Sequence, residues 1–128
     1  MVTDLIPKNK GDTETAEQLK NYSFEDIEPI IPDLLEWLQD MNWPVARPIA
    51  EYLVGVADKI TSHILNVLRG EDEIWKYWMV IEFGNVPKRP DELLMNEFKR
   101  MANHPTQGEI KEEVNEVALS VLKRWNES

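Results

Sequence analysis

The chain contains no cysteine among its 128 residues. This absence excludes a disulfide framework, a thiol nucleophile and any metal site built on cysteine. Histidine is scarce too, since only His63 and His104 occur, without an HxxxH, HxH or HExxH spacing. A histidine-based zinc site is therefore not expected. We predict that the chain uses no metal or cofactor.

Glycine is also sparse, with five residues and neither a GxGxxG nor a GxxxxGK[ST] pattern, and no serine stands in GxSxG. A phosphate-binding loop and a nucleophile elbow are thereby excluded. Carboxylates are plentiful, but most fall in the first turns of predicted helices, where they complement the helix dipole. We expect no enzyme activity. The alternative, which stays open, is a small enzyme or small-ligand binder with a carboxylate-lined cleft.

Long hydrophobic runs are missing as well. The longest, residues 77–81, falls far short of the roughly 20 residues that span a membrane. The first residues, MVTDLIPKNKGDTE, lack the apolar core of a signal peptide. We therefore expect a cytoplasmic protein that does not enter membranes.

Basic residues are few: 14 against 24 acidic ones, a formal charge of −10. Phosphate backbones and anionic membranes need lysine and arginine to displace their counterions, so neither is an expected partner. The acidity has a simple interpretation, solubility. The sharper one is a basic protein partner, which an acidic inhibitor or immunity-type protein would bind.

What the chain does contain is helical periodicity, without sustained alternation of apolar and polar residues. The pattern predicts an all-α fold of about seven helices in a single domain, residues 1–128, after an extended lead-in at 1–11. Thr106 and Glu109 form a capping box at the start of the last helix. The predicted helices are 12–20, 33–41, 44–54, 58–69, 71–83, 91–102 and 106–125.

Three segments superpose as a weak repeat: NWPVARPIAEYLVG from residue 42, EDEIWKYWMVIEFG from 71 and QGEIKEEVNEVALS from 107. Spacings of this size are typical of helical repeat proteins, in which stacked helix pairs share one core. The repeat predicts a short HEAT/armadillo-like stack of antiparallel pairs: 33–41 with 44–54, 58–69 with 71–83, and 91–102 with 106–125. The alternative is a chance match between amphipathic helices.

The stretches LIPKNKGD, DLLEWLQDMNWPVARPIAEYL and DEIWKYW resemble a family of small bacterial proteins classed as a domain of unknown function. The resemblance covers most of the chain and is strongest over residues 33–55. It implies a HEAT-like helical fold, and it implies no activity and no functional residue.

Aromatic residues around the turn before the helix at 44–54 form the one candidate binding surface. Partly exposed tryptophan, tyrosine and arginine are favoured at interaction hot spots. Simple packing of Trp37 and Trp43 at a helix corner is the alternative. Because the sequence encodes no chemistry, we predict a protein–protein interaction module. Its candidate partner face comprises Trp43, Arg47, Glu51, Tyr52 and the matching repeat position Lys76.

Overall fold

The computed structural model describes residues 1–127, and every regular element among them is helical. The predicted all-α fold is confirmed. The described chain divides into two compact units: the first is Met1–Ile60, and the second begins at Thr61. The single-domain organisation of residues 1–128, the last of which lies outside the described residues, stays a prediction.

The first unit consists of short helical pieces around a leucine- and isoleucine-rich core. Ile27, Ile31, Leu34 and Leu53 are fully buried in it. The longest helix, α4, packs against α1 and against the 3₁₀ segments at 18–21 and 37–39. The α-helices are α1 (Thr13–Glu17), α2 (Phe24–Ile27), α3 (Ile31–Glu36) and α4 (Ala46–Gly55), and the 3₁₀ segments are Val2–Leu5, Gln18–Asn21, Glu28–Ile30, Trp37–Gln39 and Ala57–Lys59.

Helix α4 begins two residues later than predicted. Val45 is its N-cap, and Pro44 lies in the preceding turn rather than at the helix start. Pro48 is consequently the third helical residue. An N–H at this position has no acceptor within the helix, so the proline removes no hydrogen bond. Helix α4 therefore tolerates a proline that looked misplaced in the sequence.

The lead-in at residues 1–11 is not wholly extended, which corrects that prediction. It contains a 3₁₀ turn at Val2–Leu5, and Leu5 is buried. The backbone N–H of Val45 donates to the carbonyl of Lys10 at 3.0 Å. The lead-in is therefore attached to the start of α4.

The second unit contains five α-helices. Helix α9 packs against both α6 and α7, while α5 contacts the same two helices and α8 contacts α9. Thr106 and Glu109 form the predicted capping box at the start of α8. The helices are α5 (Thr61–Leu68), α6 (Glu73–Gly84), α7 (Glu92–Asn103), α8 (Gln107–Lys111) and α9 (Val114–Arg124). The HEAT-like stacking of successive pairs stays a prediction.

Apolar periodicity predicts a buried stripe on α6 that consists of Ile74, Trp75, Trp78, Met79 and Ile81, but the buried face in the structure is a different one. The fully or nearly buried positions are Lys76, Met79, Val80 and Phe83, which keep the i, i+3, i+4, i+7 spacing of one helix face. Ile74 is 54% exposed. A lysine therefore occupies the first position of the buried stripe, and this turns Ile74 outward.

The predicted helix over 106–125 is wrong as a single element. Helix α8 ends at Lys111, and Glu113 adopts a left-handed backbone with φ 64° before α9 starts. Glu109 is buried, whereas Ile110, predicted to face the core, is 52% exposed. The break therefore separates the register of α8 from that of α9.

Within residues 1–127, no helix combines the length and the apolar character that crossing a bilayer requires.

Candidate functional site

Three residues of the predicted partner face come together around the start of α4. Trp43 lies in the preceding turn and is half-buried, while Arg47 and Glu51 are exposed and one helical turn apart. The rings of Trp37 and Trp43 meet edge to face, with centroids 5.7 Å apart. Trp43 thus packs on the turn and keeps part of its surface accessible.

Tyr52, the fourth residue of this face, is half-buried. Its hydroxyl oxygen is buried and has no hydrogen-bond partner among the described residues. Burial, followed by the nearby charge of Glu25, raises the pKa of the Tyr52 phenol. The polar end of this side chain therefore points into the protein, and only part of its ring is available at the surface.

Lys76 does not belong to an exposed face, which corrects the prediction for this residue. Its side chain is only 3% exposed, and its ammonium group lies between two carboxylates. The Nζ atom is 3.1 Å from Oε1 of Glu73 and 3.0 Å from Oε2 of Glu109. Lys76 and Arg47 thus occupy matching positions in the sequence repeat, but Lys76 is buried whereas Arg47 is exposed.

Glu109 is the centre of a buried ion cluster, which consists of Lys76, Glu97, Arg100 and Glu109. Arg100 binds the Glu109 carboxylate with two parallel hydrogen bonds, of 2.9 Å from Nη1 and 2.7 Å from Nη2. The same guanidinium donates from Nε to Glu97 at 2.8 Å. The backbone N–H of Thr106 donates to Glu109 at 2.9 Å. Together with Lys76, four donors therefore surround one carboxylate.

The cluster holds Glu109 in its ionised form. Burial alone raises the pKa of the Glu109 carboxyl, but the hydrogen bonds from Arg100, Thr106 and Lys76 outweigh it and lower the pKa to about 2. The hydrogen bonds to Glu109 also raise the pKa of Arg100. A carboxylate with this pKa and four bound donors is a poor proton acceptor at neutral pH. Its role is to hold α6, α7 and α8 together.

The buried ion cluster forms the floor of a cleft of about 600 Å³. Four carboxylates line the cleft, those of Glu71, Glu73, Glu97 and Glu109. Three of them are paired with Lys76 or Arg100. The cleft is therefore carboxylate-lined, as one of the predicted alternatives requires, but three cationic side chains, those of Arg69, Lys76 and Arg100, line it as well.

Because the pKa of the Glu109 carboxyl is lowered in the folded chain, we expect the chain to lose stability in acid. The folded pKa of this carboxyl, about 2, lies below its ordinary value of 4.5. The stabilisation is therefore complete above pH 4.5 and disappears as the pH falls from about 4.5 towards 2, and it amounts to on the order of 3 kcal/mol. Urea unfolding at pH 6, 4 and 3 should show this decline in the native chain and a shallower one in Glu109→Gln. Parallel declines in the two proteins would contradict the assignment.

A second concave surface, the aromatic groove, lies between α6 and the break that follows α8. It has a volume of about 350 Å³ and is lined by Ile74, Tyr77, Trp78, Lys111, Glu112 and Glu113. The rings of Tyr77 and Trp78 meet edge to face with centroids 5.2 Å apart. Both rings are half-buried, so each keeps an accessible part.

Sequence reasoning missed both the buried ion cluster and the aromatic groove. The sequence does contain a signal for the cluster. If a lysine is accepted as a buried residue, one face of α6 shows regular helical spacing through Lys76, Met79, Val80 and Phe83. Glu109, as the third residue of a capping box, was already expected to turn back towards its own backbone. The left-handed Glu113 has no such signal, since glycine and asparagine are the residues that usually adopt this conformation.

The family model described as "Domain of unknown function (DUF5071)" matches residues 5–122 of the chain. No curated protein that was compared with the chain matches it.

Proposed function

The chain belongs to the DUF5071 family, and we propose that it is a non-catalytic interaction module that binds a basic protein partner, as an acidic inhibitor or immunity-type protein does. The observation that carries this proposal is the charge of the first unit. Residues 1–60 contain 12 acidic and five basic side chains, a formal charge of −7. Seven of the chain's ten net negative charges therefore lie in this unit, where they attract a basic surface and repel nucleic acid.

The proposed contact surface is the predicted face on α4, reduced to Trp43, Arg47, Glu51 and the accessible part of Tyr52. A partly exposed tryptophan supplies apolar contact area, and the exposed side chains of α4 supply polar contacts around it. Glu51 is the member that a basic partner would contact most favourably. We further propose a cytoplasmic location, which the sequence alone supports.

The geometry of the cleft in the second unit supports a non-catalytic role. Its central carboxylate, Glu109, already accepts four hydrogen bonds, so it is poorly suited to general base catalysis. Binding of a small molecule there is the second candidate function. The cleft volume of about 600 Å³ favours it, because this size is typical of small-ligand sites.

Affinity capture from cells that naturally contain the chain tests the proposal. We expect one basic protein to be recovered, and recovery to fall about tenfold with Glu51→Lys, because that change places like charges at the contact. Glu14→Lys is the matched control: Glu14 is exposed, lies in the same unit, and undergoes the same change of charge. Recovery should also drop steeply between about 50 and 200 mM salt.

Equal recovery with Glu51→Lys and Glu14→Lys would refute the proposed face. A captured protein that is acidic, or whose binding is insensitive to salt, would refute the proposed function itself.

A further inference from the structure

We propose that the aromatic groove binds a cationic side chain, arginine or lysine, that the protein partner presents. This inference goes beyond the proposed function, because it assigns a second binding surface and the chemistry of the residue that enters it. It rests on the proposed function in one respect, the basic character of the partner.

The aromatic wall of the groove suits a cation on an apolar stem. Tyr77 and Trp78 are fixed against each other at an interplanar angle of 83°, so they present a ring face and a ring edge at one place. Cations bind favourably over the faces of such rings. Ile74, 54% exposed at the same groove, offers an apolar surface for the methylene stem of a lysine or arginine.

The opposite wall carries two neighbouring carboxylates, Glu112 and Glu113, and one lysine, Lys111. Glu112 is half-buried and Glu113 is exposed. A neutral apolar occupant would remove water from these carboxylates without compensation, and an anionic occupant would be repelled by them. A guanidinium or ammonium group instead gains charge-assisted hydrogen bonds. The wall therefore selects for a cation.

The position of this acidic wall depends on the break between α8 and α9. Glu113 has φ 64°, a left-handed backbone conformation that residues other than glycine seldom adopt. The break thus places two carboxylates next to Trp78 that regular helical periodicity did not predict there. A volume of about 350 Å³, at the small end of ligand sites, fits a single long side chain better than a folded surface.

Nuclear magnetic resonance titration tests the inference with a defined probe, Nα-acetyl-arginine N-methylamide. We expect the indole N–H signal of Trp78, assigned with Trp78→Phe, to shift saturably with a dissociation constant on the order of 1–10 mM. The citrulline analogue has nearly the same shape but no charge, and it should bind at least about fivefold more weakly. Glu112→Gln combined with Glu113→Gln should weaken arginine binding by a similar factor, and the exposed Glu116→Gln on α9 should not.

Equal shifts with the arginine and citrulline probes, or equal binding by the double variant and Glu116→Gln, would overturn the inference. The outcome is separable from that of the proposed function. Arginine binding in the groove together with failure to capture a basic protein would support the groove and refute the proposed function. Capture of a basic protein that depends on Glu51, without binding of the arginine probe, would support the proposed function and refute the assignment of the groove.

Discussion

Glu109→Gln is expected to lower the free energy of unfolding by about 3–5 kcal/mol. The glutamine keeps the shape of the side chain, but it removes the negative charge that Lys76 and Arg100 share. The ammonium of Lys76, 3% exposed, would keep its ion pair with Glu73 of its own helix but lose the one with Glu109, and the amide N–H groups of the new glutamine would face the donors of Lys76 and Arg100. Urea unfolding monitored by circular dichroism measures the change. A loss of this size would be a large part of the free energy of unfolding of a typical domain, about 5–15 kcal/mol.

Glu116→Gln removes the same charge at an exposed position of α9 and should change stability by less than about 0.5 kcal/mol. Adding Lys76→Met to Glu109→Gln should restore part of the loss, because it removes the ammonium that lacks compensation. A loss below about 1 kcal/mol for Glu109→Gln would show that the buried ion cluster does not hold these helices together.

The second large effect concerns Gly84, the last residue of α6, which packs closely against Val121 of α9. A Cβ atom at Gly84 would overlap the methyl groups of Val121, with 2.9 Å to Cγ1 and 3.2 Å to Cβ. Overpacking of this kind costs about 1–3 kcal/mol. Gly84→Val should therefore destabilise the chain by at least about 3 kcal/mol, since its branched side chain adds two more methyl groups, and Gly84→Ala by somewhat less. Thermal and urea unfolding both measure it.

Gly55→Ala is the matched control. Gly55 also ends a helix, yet a Cβ there meets no atom within 4 Å, so alanine should leave stability unchanged or raise it by about 0.5–1 kcal/mol. Combining Gly84→Ala with Val121→Ala should recover part of the lost stability. Equal stability of Gly84→Ala and Gly55→Ala would contradict the close approach of α6 and α9.

The sequence predicted the helical class and many element starts because these depend on local chemistry. Asp72, Asp91 and Thr106 each cap a helix through a side-chain oxygen, and residues with this geometry can be recognised without tertiary information. The first unit was harder. Apart from α4, its helical elements are only three to six residues long, including the 3₁₀ segments, and are too short to show a helical period.

The registers of α6 and α8 could not be predicted from apolar periodicity. In both helices a charged residue, Lys76 or Glu109, takes a core position and an isoleucine, Ile74 or Ile110, faces outward. Either charged residue alone would be unfavourable in the core, because the burial of an unpaired charge is costly. The two become acceptable only as a pair, 3.0 Å apart and 33 residues distant in sequence. The local spacing permits a lysine in the buried stripe of α6, but it does not show that Glu109 lies opposite this lysine.

The two candidate surfaces also differ in whether the sequence alone could suggest them. The face on α4 could be proposed from the sequence because its members lie within ten residues, and it stays a proposal; the burial of the Tyr52 hydroxyl and of Lys76 could not be predicted. The aromatic groove could not be proposed from the sequence, since it depends on the rotation of α6 and on the left-handed Glu113. Ile74, which faces outward because Lys76 takes the core position, is one of the residues that line this second surface.

The ionisation of Glu109 is the most direct test of this account, and the ¹³C shift of its carboxyl carbon measures it. Because the pKa is lowered to about 2, the signal should stay at its ionised position from pH 7 down to about 3, where exposed glutamates are already mostly protonated. A Glu109 carboxyl that titrates with a midpoint near 4.5 in the folded chain would contradict the buried ion cluster, and with it the explanation for the outward-facing isoleucines.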